Sequence, residues 1–311
     1  MTHHTMTPGQ LREAFLSADP NLSRFNPLRR ILSYDDFDEG LHGWVELLGN
    51  HDGRLDSVRH SFKDLRPPQL STLPFFDVGS HGAMHGGYAM KIATRPTPGH
   101  IACSIKRLTL AAASPVQFEM YFAVKAEARQ GPGAYQGRRW DGNQDLSEAD
   151  LGTFTVSNDI GRPDGSRYHC ALRYVNTNAA GEFVRGWYAK TSLQPTSKMQ
   201  LDGEIPSGDF HTLHEDDWAP VPGGDVDLCL NEVPTKVNWH YLRWLVDVEA
   251  GRNVELQVND TVMDLRDVEV PVYPHPYNGL RGLFNILLDV QTHRDVRNYL
   301  FVDSCLISAD W

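Results

Sequence analysis

Three stretches of this sequence carry side chains suited to proton transfer or polar recognition, and each repeats with a period of two. In Val116-Gln117-Phe118-Glu119-Met120-Tyr121, the residues Gln117, Glu119 and Tyr121 alternate with apolar partners. On a strand they share one face, and a Glu between an amide and a phenol can serve as a general acid or base. In Ser166 to Tyr174, Arg167, His169 and Arg173 alternate with Tyr168, Cys170, Leu172 and Tyr174. A guanidinium suits a carboxylate, an enolate or a cluster of hydroxyls. In Lys236 to Trp244, Asn238 and His240 share a face with Leu242 and Trp244, while Trp239, Tyr241 and Arg243 share the other. The candidate catalytic residues are therefore His240, Glu119, Tyr241 and Arg173. The candidate binding residues are Lys91, Lys106, Gln117, Tyr121, His169 and Asn238, with Trp140 and His51 from loops. Each has a plainer role open to it. The Gln117–Tyr121 face can be a solvated strand face, the arginines can pair with the surplus of Asp and Glu, and a lone strand histidine can be satisfied by its neighbours.

Metal chemistry has weaker support. His81 and His85 stand four apart in GSHGAMHGG, but glycines at 79, 82, 86 and 87 argue against the helix that would place them on one face. A transition-metal site would have to draw on His51, His81, His85 or His240. The four cysteines, Cys103, Cys170, Cys229 and Cys305, have no zinc-type spacing and read as reduced thiols.

The elements that must position these groups are strands. GGYAMKIATRP, HIACSIKRLTLA and VQFEMYFAVKAEA alternate with period two, and TFTVSND, RYHCALRYVN and FVRGWYAKTSL resume the pattern. The last third adds TKVNWHYLRWLVDVE, NVELQVND, TVMDLRDV, GLFNILLDVQT and NYLFVDSCLISA. One helix is expected near the N-terminus, where Leu11, Ala14, Phe15 and Ala18 fall on one face and Pro20 stops the run. Two long loops interrupt the strands, a Gly/Pro-rich one over Ala128–Gly152 and one from Pro195 to about Gly224 that is rich in Pro, Gly, Asp and His. About a dozen strands without βαβ alternation predict an all-β, antiparallel two-sheet jelly-roll sandwich. The expected organisation is an N-terminal extension over 1–30 and a single domain over 31–311.

Three segments resemble the concanavalin-like, laminin-G-like jelly rolls of carbohydrate-active proteins. They are YDDFDEGLHGWVEL, NWHYLRWLVDVEAGRNVELQVND and GLFNILLDVQTHRDVRNYLFVDSCLIS. The second departs from the usual hairpin by carrying Asp260 where glycine is common. The sequence also resembles a bacterial family of uncharacterised proteins with the pattern NE-x-P-TK-x-NWHYLRW. The jelly-roll resemblance implies that the first and last strands meet. It also implies a structural calcium near that junction, with Asp36, Asp38 and Asp303 as ligands; ordinary turn aspartates are the alternative. It implies a carbohydrate ligand, since such folds include lectins, carbohydrate-binding modules, glycoside hydrolases and polysaccharide lyases; the long loops and an expected cytoplasmic location favour an enzyme acting on a small glycoside or oligosaccharide, by β-elimination or hydrolysis. The E-x-D-x-E strand of the related hydrolases is absent. A non-catalytic carbohydrate-binding module and a structural subunit of a homo-oligomer remain the other readings.

Composition narrows the partners. A net charge of −11 disfavours nucleic acid and anionic membrane as the main target, since phosphate binding needs clustered Lys and Arg. No run of 18 apolar residues occurs, and the first 25 residues lack the apolar core of an export signal, so a cytoplasmic location is expected. No organic cofactor is expected.

Overall fold

The computed structural model describes residues 6–46, 68–71, 83–127, 148–192, 200–201, 205–206, 217–230, 238–273 and 278–311. Helix α1 (Pro8–Ala18) is capped by Thr7, whose side chain and main chain exchange hydrogen bonds with Gln10. The strands follow in chain order. They are β1 (Arg30–Asp35), β2 (Gln69–Leu70), β3 (Met90–Ala93), β4 (Ile101–Thr109), β5 (Pro115–Ala126), β6 (Thr153–Gly161), β7 (Arg167–Thr177) and β8 (Phe183–Lys190). Then come β9 (Gln200–Leu201), β10 (Ile205–Pro206), β11 (Trp218–Asp225), β12 (His240–Asp247), β13 (Arg252–Val258), β14 (Thr261–Asp264), β15 (Leu283–Gln291) and β16 (Asn298–Ala309).

Two antiparallel sheets result, and β9 pairs with β10 separately. The eight-stranded sheet runs β14-β13-β12-β5-β16-β3-β2, with β1 also on β16; the six-stranded sheet runs β11-β8-β7-β6-β15-β4. The all-β sandwich with a short N-terminal helix is thus the observed architecture. The first and last strands meet as the resemblance implied, with Arg30 opposite Ala309 and Asp35 opposite Cys305. The hairpin from β13 to β14 turns through Asn259 and Asp260, and Asn259 takes the left-handed φ of 52° that an Asn tolerates.

The core lies between the sheets. Val116, Phe118, Met120, Phe122 and Val124 of β5 face Val156, Leu172, Ile286 and Leu288 from the other sheet's strands. Trp44, Trp187 and Trp244 are fully buried among them. Alternation then sends every intervening residue of these strands to the outside of the sandwich. One strand carries its large residues outward. On β4, Ala102 joins the core, while Ile101, Cys103 and Ile105 fall on the outer side. Lys106 is turned inward, where its Nζ donates to Asp35 Oδ2 at 2.5 Å. Asp35 also accepts from Trp44 Nε1 at 3.1 Å. An ammonium leaving water needs such a partner, which accounts for a lysine between the sheets.

Candidate functional site

The residues suggested by the sequence do not converge. Glu119 and Tyr241 lie on the outer face of the eight-stranded sheet, Arg173 lies on the outer face of the six-stranded sheet, and His240 faces the interior. The sandwich separates them. Glu119 is 0% exposed. Its carboxylate accepts from Tyr241 Oη at 2.5 Å, from Gln117 Nε2 at 2.8 Å and from the backbone N–H of Asn26 at 2.8 Å. Burial, and then the neighbouring Glu119, raise the Tyr241 phenol far above its ordinary range. Tyr121 donates to Arg24 O at 2.9 Å. This set is closed over by the N-terminal segment.

His240 packs against Phe122, with ring centroids 5.5 Å apart. Its Nε2 lies 3.1 Å from Cys229 O, and its Nδ1 lies 3.1 Å from Asn259 Nδ2. A carbonyl on one side and an amide NH₂ on the other fix a neutral imidazole with the proton on Nε2. Burial lowers its pKa, opposed by those two hydrogen bonds. Asn238 donates to Cys229 O at 3.3 Å and to Cys229 Sγ at 3.1 Å. Lys106 belongs to the interior pair with Asp35. Lys91 lies on the outer side of β3, opposite Phe301 and far from the face that carries His169 and Arg173. His51 and Trp140 lie outside the described residues.

The aspartates near the strand junction are turned to other partners. Asp303 occupies an irregular step between Val302 and Ser304 where β16 pairs with β5, and such an extra residue re-aims its side chain. It accepts from the N–H groups of Met84 at 2.6 Å and His85 at 2.9 Å, and from Arg24 Nη1 at 3.3 Å. Asp38 Oδ1 accepts from the N–H groups of Gly87 at 2.7 Å and Tyr88 at 3.0 Å. Gly86 has φ +74, and a Cβ there would lie 2.1 Å from Asp38. Asp36 Oδ1 accepts from the N–H of Asp38 at 3.3 Å. Among the described residues, no group of three His, Cys, Asp or Glu is arranged to hold a metal ion.

The outer side of the six-stranded sheet is a second polar face, to which β7 contributes His169 and Arg173. Phe154, Val156 and Ile160 of β6 point to the core, so Thr153, Thr155, Ser157 and Asp159 point away. On β15, Phe284, Ile286, Leu288 and Val290 are core, so Asn285, Asp289 and Gln291 point away. Register sets Cys103, Asp289, Thr155, Arg173 and Tyr188 side by side across five strands. A parallel row holds Arg107, Asn285, Asp159 and His169.

Asp289 is the centre of this face and is 2% exposed. Burial raises its pKa to about 7, opposed by Arg173 and by a hydrogen bond with Thr155. Arg173 Nε donates to Thr155 Oγ1 at 3.3 Å, and its guanidinium sits 4.1 Å from the Trp218 ring centroid. Lys190 Nζ approaches the same ring at 5.2 Å. In the second row, Arg167 grips both oxygens of Asp159 at 2.7 and 2.5 Å and stacks 4.1 Å over Tyr273. Among the described residues, four buried atoms here have no hydrogen-bond partner: Thr153 Oγ1, Ser157 Oγ, Asn285 Oδ1 and Asp289 Oδ1. Buried polar groups are as a rule hydrogen-bonded, so these four atoms single out this face as a candidate site for a polar ligand. Of the sequence candidates, His169 and Arg173 belong to this face. Asp289 was legible in principle, because period two in LFNILLDVQ isolates Asn285, Asp289 and Gln291 from four large apolar residues.

Several solved structures align with this chain at low identity. The carbohydrate recognition domain of Emp46p, potassium-bound, aligns at 10% identity over 75% of this chain and 88% of that one, with a TM-score of 0.38. A putative β-glucanase from Mycobacterium abscessus aligns at 11% identity over 89% of this chain and 100% of that one, also at 0.38. Peanut lectin aligns at 6% identity over 77% of this chain and 88% of that one, at 0.37. Likeness at this level speaks to neither ligand nor chemistry. No curated protein matches the sequence. A family profile described as "Domain of unknown function (DUF6772)" matches residues 12–311, so the chain belongs to that family.

Proposed function

We propose that this protein is a carbohydrate-active enzyme whose site is the outer face of the six-stranded sheet, with Asp289 as its acid–base group. The observation that carries the reading is the run of buried polar atoms around Asp289 that find no partner among the described residues. A sugar supplies hydroxyls that both donate and accept, at the spacing of neighbouring strand residues, and would satisfy several orphans together. Arg173 and Lys190 beside Trp218 add positive charge and a flat ring.

The same face favours β-elimination over hydrolysis. Hydrolysis calls for two carboxyl groups about 5–9.5 Å apart. Among the described carboxylates of this face, Asp159 is opposite Asn285, four residues along β15 from Asp289, which is roughly 13 Å of strand. Its charge is also met by Arg167. Elimination needs one carboxylate. Asp289 takes the proton on the carbon beside a sugar carboxylate or carbonyl, and the C–H electrons form a C=C bond. The C–O bond to the leaving group breaks, and the departing oxygen takes up a proton. Arg173 would hold the negative charge that develops on the carboxylate or carbonyl.

The test is product analysis with the full chain on small uronate, keto-sugar and neutral oligosaccharides, following the ultraviolet absorbance of a new unsaturated sugar. Unsaturated product, lost in Asp289→Asn and in Arg173→Met, is expected. Saturated products, or turnover that survives Asp289→Asn, would overturn the reading. Stoichiometric sugar binding without turnover would reassign the face to a binding module.

A further inference from the structure

Residues 24–28 cross the outer face of the eight-stranded sheet, and side chains of that sheet read their main chain. Asn26 is engaged twice: its N–H donates to Glu119 Oε2 at 2.8 Å, and its carbonyl accepts from Gln117 Nε2 at 2.7 Å. Arg24 O accepts from Tyr121 Oη at 2.9 Å, and Leu28 N donates to Ser308 Oγ at 3.0 Å. Main-chain groups in a protein normally find main-chain partners in a sheet or helix. Here four of them are met by side chains from β5 and β16, as in a groove built for a polypeptide that adds no strand.

Two side chains anchor the segment. Phe25 is buried edge-on against Tyr34 and Tyr121, at 6.1 and 5.5 Å between centroids. The Arg24 guanidinium lies 5.3 Å from the Tyr121 centroid and 3.3 Å from Asp303. Pro27 keeps Asn26 out of the helical region, which leaves both of its main-chain groups available to Glu119 and Gln117.

The segment is peripheral to the fold it covers. None of residues 6–28 belongs to the core cluster between the sheets, and α1 buries no residue. A unit with one buried anchor and mostly exposed backbone opens at lower free energy than the sheets beneath it.

We propose that Gln117, Glu119, Tyr121, Asp303 and Ser308 form a recognition groove for an open, non-helical polypeptide segment presenting Arg-Phe-Asn, occupied in the resting protein by the chain's own residues 24–28. The partner is a protein carrying that short motif in an unfolded stretch. The tethered segment competes with it at the millimolar effective concentration typical of short linkers. Binding elsewhere therefore requires the N-terminal segment to lift, which lays bare the Glu119–Tyr241 pair.

The probe is a fluorescent peptide of residues 19–30, titrated against the full-length chain and its Arg24→Ala/Phe25→Ala variant. The variant should bind with one-to-one saturation. Wild type should bind at least tenfold more weakly, and a peptide carrying the same two alanines should lose binding to both. Hydrogen exchange on wild type should open the Asn26 and Leu28 amides well before those of β5 and β12. Equal binding by both proteins, or no binding by a folded variant, would overturn the groove. So would exchange of those amides only through global unfolding, or failure of the variant to fold, because the segment would then be part of the sandwich itself.

Discussion

Replacing Asp289 by Asn should change the pH dependence of stability as well as activity, and the size follows from the burial of this one carboxyl. Its pKa in the folded protein is about 7, against an ordinary 3.8. Between those values the folded protein holds a proton that the unfolded chain has released. Stability must then fall as pH rises through the window, by about 1.4 kcal/mol per pH unit. About 3 units give roughly 4 kcal/mol lost by pH 8. Asn carries no charge and escapes this loss. The two proteins should melt alike near pH 4 and diverge upward, with Asp289→Asn more stable by up to 4 kcal/mol above pH 7. For a chain of 311 residues the unfolding entropy is on the order of 0.65 kcal/mol per degree, so the gap should reach about 6 °C. Thermal melts from pH 4 to 9 measure it directly. Activity should move the other way: kcat/KM should rise as wild-type Asp289 ionises through pH 7 and be lost in the variant. Melting curves separated by a constant amount at every pH would refute the reasoning, because the charge would then not be the buried species.

Two other substitutions have worked expectations. Lys106→Met leaves the Asp35 carboxylate buried without its ammonium, and should cost about 3–5 kcal/mol in urea unfolding; adding Asp35→Leu should recover part of that loss. Gly161→Ala would place a Cβ 2.0 Å from Leu280 O and 3.1 Å from Leu283 Cβ, so it should lower Tm by several degrees and displace the turn that leads into β15.

Much of the fold can be read along the chain, because alternation is a local property. VQFEMYFAV and NYLFVDSCLISA announce strands whose apolar residues must share one face, and both became central strands of the eight-stranded sheet. Local pattern is weaker where a strand has two buried faces. On β4, the large residues Ile101, Cys103 and Ile105 look like the core side, yet Ala102 packs between the sheets. Which side packs against the other sheet is not recorded in spacing along the sequence. The inward direction of Lys106 likewise depends on Asp35 arriving from the first strand.

The candidate site shows the same division. The sequence by itself determines which residues of a strand share a side, so Gln117, Glu119 and Tyr121 stay together, as do Arg167, His169 and Arg173. Only the tertiary structure decides which sides face each other and what covers them. It put Glu119 beneath the chain's own N-terminus, turned His240 toward Phe122, and set Asp289 beside Thr155 and Arg173. Cross-strand register joins residues more than a hundred positions apart, and burial then sets the proton affinity of the carboxyl between them.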